Sequence, residues 1–138
     1  MAAGLFTQMV TAEGHPEEWR IESAGTWADP GRRALPEVVQ VMAERQIDLT
    51  RHRSRTIDAA LMEKFALYLV MEPGHKEALQ AEFPNTAGRI FLLTEMIGQR
   101  LAVLDPTGAD LKAFQDIALQ IRRILARGKD RIYELARI

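Results

Sequence analysis

Apolar residues at the start of the chain recur at helical spacing: Leu5, Phe6, Met9 and Val10 share one face. This pattern predicts an opening helix, which Gly14-His15-Pro16 ends. Trp19, Ile21 and Ala24 then alternate with Arg20, Glu22 and Ser23, the pattern of a short strand stopping at Gly25. Asp29-Pro30-Gly31 reads as a turn. Leu35, Val38, Val39 and Met42 again follow helical spacing and predict a second amphipathic helix. Pro36 suits its first turn, where a missing N–H costs nothing. Asp58 is placed to cap a short helix through Leu61 and Met62.

Residues 65–71 are almost continuously apolar, as in a strand buried on both faces. Glu72-Pro73-Gly74 turns the chain into another helix, with Ala78 and Leu79 facing inward. Residues 89–93 read as a third strand. Residues 101–104 form a short apolar run that stops at Asp105-Pro106. The last helix buries Leu111, Phe114, Ile117, Ala118, Ile121, Ile124 and Leu125, and Gly128 is expected to interrupt it. Strands alternating with helices predict an α/β fold with a parallel sheet and helices on both faces. No repeat, low-complexity tract or long linker divides residues 1–138, so one domain is expected.

Composition narrows the function classes. The 138 residues are 47% hydrophobic and 27% charged, the balance of a soluble globular protein with a real core. A net charge of -1 gives no global attraction to nucleic acid or acidic membrane, and neither is expected as a partner. No apolar run approaches the roughly 20 residues of a membrane-spanning helix. Met1-Ala2-Ala3-Gly4-Leu5-Phe6 lacks the basic and long apolar regions of a signal peptide. The chain has no cysteine, which excludes disulfides, thiolate metal sites and a cysteine nucleophile within these residues. No histidine–carboxylate pair has metal-ligand spacing and no Gly-rich phosphate loop is present, so neither a metal nor a cofactor is expected.

In open α/β sheets, ligands sit where strands end. Ser23, Glu72 and Asp105 each follow a predicted strand or apolar run. Asp105 is the best candidate acid. Pro106 holds it extended, and partial burial would raise its pKa. Read from the residues alone, Asp-Pro more readily just opens a turn before the final helix. His52 lies in the basic loop Arg51-His52-Arg53-Ser54-Arg55, which fits a solvated loop better than a phosphate-binding one in a chain of balanced charge. His75 beside Lys76 reads as surface. Trp27 either lines a pocket or packs.

Five segments together resemble the low-molecular-weight protein-tyrosine phosphatases, especially the bacterial branch that includes protein-arginine phosphatases. They are Met1-Ala2-Ala3-Gly4-Leu5-Phe6; Ser23-Ala24-Gly25-Thr26; Ile47-Asp48-Leu49 with His52-Arg53-Ser54; Leu69-Val70-Met71 with His75-Lys76; and Val103-Leu104-Asp105-Pro106. The family's order and approximate spacing are kept over nearly the whole chain. The resemblance implies a three-layer α/β/α, phosphotyrosine phosphatase I-like fold and a cytoplasmic protein. It also implies hydrolysis of phosphotyrosine, phosphoarginine or a small phosphomonoester through a phosphocysteine. By this resemblance Asp105 matches the general acid and base, while Ser23 and His52 match residues that brace the phosphate loop. Thr107 stands where the family usually has an aromatic residue, which weakens the implied preference for tyrosine.

The family's first strand and Cys-x5-Arg-Ser loop precede the segment that resembles Met1. The resemblance therefore implies a chain with the first strand missing and no nucleophile, inactive as it stands. The alternative is a non-catalytic phosphatase-like binding or assembly module. Related arsenate reductases need further cysteines, and there are none here. In the family the absent strand is central, and its loss would leave unpaired strand edges that a second copy of the chain could fill. A homodimer is expected on that argument.

Overall fold

In a computed structural model the described residues are 1–14, 16–25 and 30–137. Among the expectations above, those for His15, Thr26, Trp27 and Asp29 fall outside them. The chain folds as two compact units. Met1–Thr56 and Pro106–Arg122 form the first, and Ile57–Asp105 and Arg123–Ile138 form the second.

Helix α1 (Ala2–Ala12) opens the first unit and buries Leu5, Phe6 and Val10, the face its spacing predicted. Gly4 lets this helix approach its neighbours closely: a Cβ there would lie 3.1 Å from Ile47 Cγ2 and 3.4 Å from Met42 Cε. The Phe6 and Trp19 rings meet edge to face at 5.2 Å, a favoured aromatic geometry. Helix α2 (Pro36–Ala43) starts at Pro36 as expected and buries Val41 and Met42. Leu35 departs from the expectation. It precedes the helix in extended geometry and is 41% exposed. Val41, Phe114 and Ala118 form a cluster that Val38 and Leu111 complete, so α2 packs against the first part of α4 (Leu111–Ala136).

The predicted strand from Trp19 to Ala24 does not form. Alternation makes a strand only where a neighbour accepts the backbone bonds. Among the described residues, this segment's ladder contact is the isolated parallel bridge of Gly25 with Thr56. Trp19 and Ile21 are half-buried without it.

The second unit holds the sheet. Strands β1 (Tyr68–Val70) and β2 (Ile90–Leu92) pair in parallel, with Tyr68 opposite Ile90 and Val70 opposite Leu92. Both fall inside the predicted runs. β1 is half-buried and shorter than residues 65–71, because one neighbour orders and covers less of a strand than two would. Parallel strands need a crossover. Here it is α3 (Pro73–Glu82), which packs on both strands. Leu79 faces inward as predicted and Ala78 does not, since a methyl group has little apolar area to cover. Met62, Leu79 and Ile90 form one core cluster of this unit, with Tyr68, Val70 and Phe83 against them. The Asp58 carboxylate accepts the Leu61 amide at 2.7 Å, the predicted cap.

Helix α4 continues through Gly128 to Ala136, contrary to the expected break. Glycine in a helix costs about 1 kcal/mol, but here it admits a neighbour. A Cβ on Gly128 would stand 2.6 Å from Met96 Cβ and 3.1 Å from the Met96 carbonyl oxygen. The predicted face of this helix is buried at Phe114, Ala118, Ile121, Ile124 and Leu125, and Ile132 extends it. Among the described residues, no helix is long and apolar enough to cross a membrane.

Lys76 Nζ lies 2.6 Å from Glu95 Oε1 and 5.7 Å from the centre of the Phe91 ring. The Leu92 amide donates to the same Glu95 oxygen at 3.0 Å. Burial pushes the Glu95 carboxyl up. The Lys76 and Leu92 hydrogen bonds, with the Lys76 and Arg100 charges, outweigh that and hold it below its ordinary value.

Two outcomes follow. Gly128→Ala destabilises by about 1–3 kcal/mol in denaturant unfolding despite its better helix propensity, because Met96 cannot retreat without moving backbone. Glu95→Gln destabilises by on the order of 1–2 kcal/mol near neutral pH. A carboxyl held low in the fold contributes stability above its unfolded pKa, about 4.3, and loses it as pH falls through the folded value. The gap between wild type and Glu95→Gln therefore closes on acidification below about pH 4.3. A gap that stays constant to pH 3 would remove Glu95 from this role.

Candidate functional site

The candidate residues sit on loops, where rigid neighbours can position them. In the first unit, the loop at residues 51–56 is held on two sides. On one side the Gly25 amide donates to the Arg55 carbonyl at 3.0 Å, and Arg55 Nη1 lies 3.1 Å from Glu22 Oε1. Glu22 also receives Arg20 at 3.4 Å. On the other side the Ser54 amide donates to the Arg32 carbonyl at 2.7 Å, and the Gly31 amide to the Ser54 carbonyl at 2.8 Å. The Arg32 amide donates to Ser54 Oγ at 2.9 Å. The basic run is thus partly tied into the fold and is not simply a solvated loop.

Ser23 and His52 belong to these adjoining strips. Ser23 is exposed and follows Glu22 directly. His52 is half-buried. Its amide donates to the Leu49 carbonyl at 3.1 Å, and its carbonyl accepts Arg53 Nη1 at 2.9 Å. Just before it, the Asp48 carboxylate accepts the Thr50 hydroxyl at 2.6 Å and the Thr50 amide at 2.9 Å. Those bonds, with the Arg51 charge, hold Asp48 below its ordinary value.

Asp105 lies in the second unit, as the last residue of the stretch from Ile57. It is exposed, so the partial burial expected of it is not found. The run before it does not pack as a strand: Leu101 and Leu104 are 63% and 70% exposed, and only Val103 is buried. The run is nevertheless anchored. The Val103 amide donates to the Met71 carbonyl, at the end of β1, at 2.8 Å. Thr94 is buried, and its hydroxyl donates to the Leu101 carbonyl at 2.7 Å and accepts the Leu101 amide at 3.1 Å. Thr94 is thus a positioning residue for the Asp105 loop. Only its place beside the apolar residues 90–93 could have hinted at this.

Glu72, the third residue placed after a strand, precedes α3, and its carbonyl accepts the His75 and Lys76 amides at 3.1 and 3.2 Å. Its carboxylate lies 3.9 Å from His75 Nε2. A negative side chain at a helix N-terminus interacts favourably with the helix dipole.

A shallow groove of about 630 Å³ runs between α1 and the turn at residues 44–46, with Gln8, Met9, Glu44 and Gln46 on its walls. None of Ser23, His52 or Asp105 lines it. Among the described residues, no group of three or more histidine, aspartate or glutamate side chains is arranged to hold a metal ion.

Comparison with known proteins places this arrangement. The chain is 36% identical over 101 residues to the probable low molecular weight protein-tyrosine-phosphatase EpsP of Ralstonia solanacearum, covering 73% of this chain and 68% of that one. A low molecular weight protein tyrosine phosphatase from T. tengcongensis superposes with a TM-score of 0.88 at 29% identity, covering 94% of this chain and 88% of that one. The arginine phosphatase YwlE, in a cysteine-to-serine variant with a phosphorylated active-site serine, superposes with a TM-score of 0.91 at 28% identity. That match covers 99% of this chain and 88% of the other. The family model for low molecular weight phosphotyrosine protein phosphatase matches residues 1–131. With its α/β fold, its parallel strand pair and the expected segments in order, the chain belongs to the low molecular weight phosphotyrosine protein phosphatase family.

Proposed function

We propose that this chain is the body of a protein phosphatase acting on phosphotyrosine, phosphoarginine or small phosphomonoesters. The family match over residues 1–131, which includes Asp105-Pro106, carries this reading. The anchoring of the Asp105 loop supports it. A general acid must be presented to solvent-borne substrate on a backbone that does not wander.

The reaction needs a thiolate from a Cys-x5-Arg loop, and the 138 residues contain no cysteine. In the full reaction that thiolate attacks phosphorus, the bond to the leaving oxygen or nitrogen breaks, and Asp105 gives its proton to the departing atom. Asp105, now a carboxylate, takes a proton from water. The water oxygen attacks phosphorus and the phosphorus–sulfur bond breaks, releasing phosphate. Ser23 and His52 brace the phosphate loop from the strips that Gly25, Arg55 and Glu22 tie together. Thr107 presents no ring to stack on a phenol, which weakens the preference for phosphotyrosine. The alternative reading is a non-catalytic phosphatase-like module that binds a partner or forms an assembly.

The 138-residue polypeptide should not hydrolyse p-nitrophenyl phosphate, because no other side chain here has the partner that would make it a strong nucleophile. Turnover that persists in protein prepared from two unrelated hosts would sink this. With a Cys-x5-Arg segment joined ahead of Met1, activity should appear. Asp105→Asn should then slow the first chemical step by about 10²–10⁴-fold for a poor leaving group and much less for a good one. Equal losses for both substrates would take the acid role from Asp105.

A further inference from the structure

Arg33 and Arg53 stand opposite each other across an isolated antiparallel bridge. The bond from the Ser54 amide to the Arg32 carbonyl, at 2.7 Å, joins the neighbours of this pair rather than the pair itself. Such a pair has its Cα atoms about 4.5 Å apart, closer than a hydrogen-bonded pair. Directly opposite residues project from the same face, and like charges there repel. Both arginines are exposed.

Among the described residues, the carboxylates near this pair are engaged elsewhere. Glu22 is engaged by Arg20 and Arg55, and Asp48 by Thr50. Among the described residues no carboxylate lies within ion-pair distance of Arg33 or Arg53. Arg53 spends one donor on the His52 carbonyl, and a guanidinium has five. Among the described residues, two positive charges are thus held face to face by backbone bonds.

We infer that the Arg33–Arg53 pair is a docking surface for an acidic polypeptide segment. An Asp or Glu side chain bridging the two forks converts a repulsive pair into charge-assisted, bidentate contacts. Placing this surface at the substrate site rests on the phosphatase reading, because His52 adjoins Arg53. The segment is then the acidic stretch flanking the phosphorylated residue of a protein substrate. A nucleic-acid backbone fits less well, since two arginines in a chain of net charge -1 do not track a run of phosphates.

The test is fluorescence anisotropy on the 138-residue protein, with a labelled glutamate-rich peptide and its glutamine counterpart. The glutamate peptide should bind more tightly, and added salt should erase the difference. Arg33→Glu and Arg53→Glu should each weaken it roughly three- to tenfold. Arg33→Lys, which keeps the charge and the fold but loses the fork, should fall between wild type and Arg33→Glu. Arg131→Glu is the control, an exposed arginine that lies 3.4 Å from Glu134, and it should leave binding unchanged. Equal binding of the two peptides overturns the proposal, as does an effect of Arg131→Glu as large as that of Arg33→Glu. Tighter binding of a single-stranded oligonucleotide of equal charge overturns the choice of polypeptide. The probe carries no phosphate, so a failure here leaves the hydrolysis reading standing. Absence of hydrolysis in the thiolate-bearing protein likewise leaves this surface standing.

Discussion

Two parallel strands cannot be joined by a hairpin, and most of the second unit answers to that constraint. The chain leaving β1 must return to the start of β2, and α3 makes that return while covering both strands with Leu79. The crossover puts the ends of β1 and β2 on the same side. Residues 71–72 and 93–97 follow those ends, and both take part in holding what comes next. The Met71 carbonyl anchors Val103, and the Thr94 hydroxyl anchors Leu101. Asp105 thus inherits its placement from the strand pairing through three hydrogen bonds, although no strand contains it. The Glu95 carboxylate adds a second tie, joining Lys76 on α3 to the amide of Leu92.

The first unit solves a different problem. Its segments 30–35 and 50–56 carry five arginines, at positions 32, 33, 51, 53 and 55, and little regular structure. Short backbone bonds from Gly25, Gly31 and Ser54 order them, and the fold spends its nearby carboxylates unevenly. Arg55 is neutralised by Glu22 while Arg33 and Arg53 are set against each other. Surface ion pairs contribute little to stability, so this uneven pairing matters more for what the surface attracts than for how firmly the unit holds.

Helical spacing was legible in α1 and α4 because each has a clear apolar stripe. Leu5, Phe6 and Val10 in α1, and Phe114, Ala118, Ile121 and Leu125 in α4, are buried where their period placed them. Pro36, Asp58 and Pro73 act through their own backbone or side chain, so their helix starts could be read locally. The family was legible for a related reason. Apart from Met1–Phe6 in α1, its motifs lie mostly in loops and at the end of β1, where residue identity answers to local geometry and chemistry.

What tertiary structure alone decided are the matters that depend on a distant partner. Trp19 to Ala24 alternates like a strand, but a strand exists only where another backbone accepts its bonds, and the described neighbour meets it at Gly25 alone. Gly128 reads as a break, yet the approach of Met96 turns its missing side chain into an advantage. Leu104 is apolar and remains exposed, because its run is held by Thr94 and Met71 instead of by a sheet. The opposition of Arg33 and Arg53 joins residues far apart in the chain through backbone bonds that no periodicity encodes. Spacing along the chain reports which face a residue shares with its near neighbours; only the closed fold determines what that face meets.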